Sequence, residues 1–142
     1  MSKRYFTPSE VNGLIPELEG IIRQLKSLET EIQEKIWRLK RTVVESRKQG
    51  DMPDEEHLAK AETEIEFLQI VAISQFDRVR ELGGEVKNGF LVDFPALIYG
   101  QEVVLCLKPG EQEVRWYHGE HEGIGGRKPI PSEMLGEAEE GE

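Results

Sequence analysis

The stretch "QFDRVRELGGEVKNGFLVDFPALIYG" (residues 75–100) contains the change of hydrophobic period that decides the fold. Up to Leu82, apolar residues recur at spacings of three and four: Leu58, Ala61, Ile65, Leu68, Ala72, Phe76 and Val79. That is the stripe of a helix packed along one partner. Gly83-Gly84 supplies a left-handed stop, and short runs rich in Val, Leu, Phe and Tyr follow, read with period two. Helix therefore precedes this point and sheet succeeds it.

Working towards the N-terminus, "KQGDMPDEEH" breaks the chain at Gly50, Asp51 and Pro53. The second helix is expected from about Asp54 to Leu82. Before the break, "YFTPSEV" reads as a helix start, with Thr7 as N-cap, Pro8 at the first helical position and Glu10 closing a capping box. Phe6 and Val11 are placed for a hydrophobic staple. Leu14, Leu18, Ile21, Leu25, Leu28 and Ile32 then form a coiled-coil-like seam that continues through Ile36, Leu39 and Val43. Pro16 falls inside it and removes one backbone bond. A helix from Thr7 to about Arg47 folds back on the second with partners summing to ~102. The basic run "KIWRLKRTVVESRK" (35–48) then faces the acidic start of helix two. In that helix "IEFLQIVAISQF" (65–76) is apolar nearly all round. Phe67, Ile70 and Ile73 need a cover, either the sheet or a second copy.

Working towards the C-terminus, "FLVDFPALIYG", "QEVVLCLKPGE" and "EVRWYHGE" read as strands, with turns at Gly100-Gln101 and Pro109-Gly110. The expectation is a three- or four-stranded antiparallel sheet over residues 86–118. The fold class is α+β: a long antiparallel helical hairpin followed by a small antiparallel sheet packed on it. One domain is expected over 1–131, with the hairpin at 7–84 and the sheet and glycine-rich loop at 85–131. The acidic tail, 132–142, is expected to be disordered.

The chain has 142 residues, 37% of them hydrophobic and 32% charged, with a net charge of −10. Residues 51–142 hold twenty-one Asp/Glu against eight Lys/Arg, so the negative charge sits there. This balance argues against nucleic-acid binding. No stretch reaches the ~20 apolar residues of a membrane span, and no apolar signal segment opens the chain. A cytoplasmic protein that does not engage membranes is expected. Cys106, the one cysteine, rules out an intramolecular disulfide and an all-cysteine zinc site, and reads as a small apolar strand residue.

Chemistry concentrates in "WYHGEHEGIGGR" (116–127). His118, Glu120, His121 and, from "FLVDFPAL", Asp93 are candidate ligands for a divalent transition metal, since imidazole and carboxylate suit zinc, nickel or iron. His118 and His121 share a face only if the chain turns at Gly119. Gly125, Gly126 and Arg127 are candidate anion or cofactor binders, through converging backbone N–H groups and a guanidinium fork. Pro129 and Pro131 exclude a P-loop or dinucleotide fingerprint. Asp93 in an apolar strand calls for a cationic or hydrogen-bonding partner, with His118, Arg115 and Arg127 in reach. Cys106 and His118 could meet in the sheet, but strand parity alone does not decide it.

The segments "YFTPSEVNGLIPEL", "LGGEVKN", "GFLVDFPALIYGQEVVLCLKPGE" and "WYHGEHEGIGGRKPI" resemble the uncharacterised bacterial domain-of-unknown-function family numbered 2203. The similarity extends to Pro131. It implies that Asp93, Glu111, His118 and Arg127 are motif positions, and it implies no activity. Tyr117 intervenes where the family commonly reads Trp-His, and Ile124 stands where an aromatic is common. Two readings result. One is a non-enzymatic interaction or structural protein, a homodimer or higher oligomer with room for a protein partner. The other is a small metal- or anion-binding protein, or an enzyme, using Asp93, His118 and Arg127.

Overall fold

The computed structural model describes residues 4–135; most of the expected acidic tail, 136–142, lies outside them. Two long helices come first, α1 (Pro8–Lys48) and α2 (Glu55–Leu82). Five strands follow: β1 (Glu85–Val86), β2 (Val92–Ile98), β3 (Gln101–Leu107), β4 (Trp116–His118) and β5 (Lys128–Pro129). The class is α+β, a helical hairpin followed by an antiparallel sheet. No helix among the described residues is long and apolar enough to cross a membrane.

Local chemistry sets the helix ends. Thr7 N–H donates to Glu10 Oε1 at 2.9 Å, and Glu10 N–H donates to Thr7 Oγ1 at 3.2 Å, a reciprocal capping box. Asp54 Oδ1 accepts from Glu56 N–H at 3.1 Å and caps α2. Both helices end in a Schellman motif around a positive-φ glycine. At α1, Asp51 N–H bonds Ser46 O and Gly50 N–H bonds Arg47 O, with Gly50 at φ 77°. At α2, Gly84 N–H bonds Val79 O and Gly83 N–H bonds Arg80 O, with Gly83 at φ 102°.

Two compact units emerge among the described residues, 4–22 with 76–135, and Arg23–Gln75. The first contains the sheet, a meander in the order β1-β2-β3-β4-β5 with every pair antiparallel. The sheet is wider than expected because the two-residue strands β1 and β5 add to its edges. Phe94 on β2 meets Phe6 edge-to-face, with ring centroids 5.1 Å apart. Phe6 N–H donates to Pro95 O at 2.7 Å, on the part of β2 that β1 leaves unpaired. Gly83 is tightly hemmed: a Cβ there would stand 2.2 Å from the Phe6 ring. Val11, Leu18, Ile21, Val79, Phe94 and Leu105 are fully buried in this unit. Asn12 Oδ1 accepts from Val114 N–H at 2.7 Å and ties α1 to the chain entering β4.

The second unit is built of the two helices and the turn at 49–54 that joins them. Lys35 Nζ reaches Glu64 Oε2 at 3.3 Å across the antiparallel pair, within a turn of the expected register. Arg41 pairs instead with Glu45, one turn along its own helix, at 3.1 Å. Leu25, Leu28 and Ile65 are buried. Ile32, Ile36, Leu39, Val43, Leu58 and Leu68 of the seam are only half-buried. Phe67 is 63% exposed, Ile70 63% and Ile73 58%.

Candidate functional site

The turn between β2 and β3 fixes everything that follows. Tyr99 (φ 51°) and Gly100 (φ 79°) both take positive φ, as a two-residue hairpin turn of the primed type demands. The pairing that results sets Asp93 opposite Cys106. The next pair sets Cys106 opposite Trp116 and Val104 opposite His118. Cross-strand partners share a face, as do residues two apart. Asp93, Cys106, Trp116 and His118 therefore lie on one side of the sheet, while Phe94 and Leu105 line the side that meets Phe6.

On that side the polar groups converge. His118 Nε2 stands 3.6 Å from Asp93 Oδ1. The Cys106 thiol interacts with both the Asp93 carboxylate and the Arg127 guanidinium. Asp93 is 7% exposed, Cys106 0% and His118 4%. One ligand atom from each of these three lies within 4.8 Å of the others. Burial pushes the Asp93 carboxyl above its ordinary range, opposed by the nearby His118 and Lys87 charges. Burial likewise pushes the Cys106 thiol up, with the Asp93 charge adding to the effect.

Arg127 closes over the cluster. Its Nη2 donates to Cys106 O at 3.0 Å and to Glu111 Oε1 at 2.8 Å, and its guanidinium lies 5.4 Å from the centre of the Trp116 ring. Glu111 is held in turn by Lys108 N–H, at 2.6 Å from the same oxygen, in the Lys108–Glu111 turn where Gly110 takes φ 91°. Asp93 Oδ1 and Arg127 Nε, both buried, make no hydrogen bond.

Of the residues singled out in the sequence, the structure brings Asp93 and His118 together, with Arg127 beside them through Cys106. It leads the chain away at the next turn. Gly119 O accepts from Glu122 N–H at 3.1 Å, and Gly119 N–H donates to Glu122 Oε1 at 2.7 Å. Glu120 and His121, on that turn, are exposed and outside the buried trio. Gly125 and Gly126 belong to a single 3-10 turn (Ile124–Gly126). There Gly126 N–H bonds Gly123 O and Arg127 N–H bonds Ile124 O. Those two donors are spent inside the loop and not offered to an anion. Cys106, which the sequence allows to meet His118 without marking it as a ligand, is the third member.

No curated protein and no solved structure gives a significant match to the chain. The family described as "Uncharacterized conserved protein (DUF2203)" matches residues 4–130, which takes in α1, α2, every strand and all four of Asp93, Glu111, His118 and Arg127. The chain belongs to that family.

Proposed function

We propose that this is a self-associating interaction protein, a homodimer or larger symmetric oligomer in which the helical unit Arg23–Gln75 of one copy packs on that of another. The observation that carries the reading is the exposure of Phe67, Ile70 and Ile73, each about 60% open on one face of α2. Large contiguous apolar faces mark interfaces, and burial returns about 25 cal/mol for each Å² covered. The half-buried seam adds support, because two helices alone have no second layer to bury Ile36, Leu39 and Leu68. A second hairpin supplies that layer as a four-helix bundle does. A symmetric pair needs no other partner, since one patch serves both copies. The reading sets the protein in the cytoplasm, where a buried free thiol such as Cys106 stays reduced.

The test is the double variant Phe67→Glu, Ile70→Glu. It should lower the solution mass and reduce the helical signal of the unit Arg23–Gln75. A variant with the native mass and native helicity would overturn the reading. The second reading, a ligand-binding protein built on Asp93 and His118, draws support from their approach within the sheet and leads to the inference below.

A further inference from the structure

The buried trio poses a problem of protons. His118 Nδ1 lies 2.7 Å from Gly119 O. A carbonyl oxygen only accepts, so Nδ1 carries the hydrogen. In a neutral imidazole, Nε2 is then a bare lone pair, and it faces Asp93 Oδ1, an acceptor with no hydrogen bond of its own. Two acceptors facing each other in a buried site repel unless something positive stands between them. A shared proton is one answer, but 3.6 Å is long for it, since charge-assisted N–H···O bonds close to about 2.7–2.9 Å. A metal ion is the other. Bonds of about 2.0–2.2 Å to nitrogen and oxygen at tetrahedral angles set the two ligand atoms about 3.3–3.5 Å apart.

We propose that Asp93, Cys106 and His118 bind one divalent transition ion of the zinc class, through one carboxylate oxygen, the thiolate and imidazole Nε2. The three ligand atoms, all within 4.8 Å of one another, reach a common ion after small side-chain rotations. The Nδ1–H bond to a backbone carbonyl is the outer-sphere contact that metal-ligating histidines make, and it orients Nε2 inward. Charge closes as well. A divalent ion with one carboxylate and one thiolate is neutral, and the adjoining Arg127–Glu111 pair is neutral too. The site thus buries no net charge. Binding releases the thiol proton to solvent, as thiolate ligation requires. The thiolate also selects against magnesium and calcium, which take oxygen ligands. Three protein ligands leave one position of a tetrahedron open.

The experiment titrates the chelator-treated full chain with Co(II), then Zn(II). The expected result is one Co(II) per chain with a thiolate-to-cobalt charge-transfer band, displaced by Zn(II). Cys106→Ser should remove the band, and His118→Gln should weaken uptake at least tenfold. X-ray absorption of the zinc-loaded native chain gives a readout independent of any variant, and should show one sulfur among nitrogen and oxygen ligands. Absence of stoichiometric uptake by folded native protein would overturn the proposal. So would a coordination shell without sulfur.

Discussion

Asp93 and Cys106 stand directly opposite each other across β2 and β3, and the Asp93 carboxylate, 3.6 Å from His118 Nε2, has one oxygen without a hydrogen bond. In the metal-free chain this carries a signature in pH. Burial raises the Asp93 carboxyl above its ordinary value of 3.8 in the folded state. A raised folded value favours the protonated form, so its stabilising contribution is complete below about 3.8 and is lost as pH rises through the raised value. With chelator present, native stability relative to Asp93→Asn should therefore fall as pH rises above about 3.8. Denaturant unfolding of both chains across that range measures it. A gap that widens in favour of the native chain would show an ionised Asp93–His118 pair instead.

Arg127 spans β3 and the Lys108–Glu111 turn through one nitrogen, Nη2. Removing it leaves Glu111 and the Cys106 carbonyl each short of a donor. Arg127→Ala should cost about 1–3 kcal/mol, the range for hydrogen bonds to charged groups. Arg127→Lys should recover only part, because an ammonium lacks the planar fork. Equal stability of the Lys variant and the native chain would contradict the bridging role.

Two glycines should respond in opposite directions to alanine. Gly83 takes φ 102° and sits where a Cβ would meet the Phe6 ring, so Gly83→Ala should destabilise by about 1–3 kcal/mol, as overpacking does. Gly20 lies inside α1 with open space around it, so Gly20→Ala should stabilise by about 0.5–1 kcal/mol through helix propensity. Thermal or denaturant unfolding of the two variants checks the pair. A neutral Gly83→Ala would mean that Phe6 shifts freely.

The helices were legible because their signals are local: Thr7 and Glu10 are three residues apart, and Gly50 and Gly83 each end a periodic run. The buried trio was only half legible. A turn assigned to Gly100-Gln101 sets Asp93 opposite Lys108, whereas the observed turn at Tyr99-Gly100 sets it opposite Cys106. That shift preserves face parity, so Asp93 and His118 could be paired in advance while Cys106 passed for an apolar strand residue. The sign of φ at Tyr99 was the missing information, because a non-glycine there seldom goes positive. Strands β1 and β5 were illegible for another reason. Glu85–Val86 and Lys128–Pro129 are too short for any period to show, and their pairing comes from tertiary contact.

Sedimentation equilibrium of the native full chain reads its self-association without any substitution. One chain weighs 16.2 kDa. At micromolar concentration the expected mass is twice that value or a larger whole multiple, held by the face that bears Phe67, Ile70 and Ile73. A single species of 16.2 kDa at the same concentration, with α2 fully helical, would contradict it.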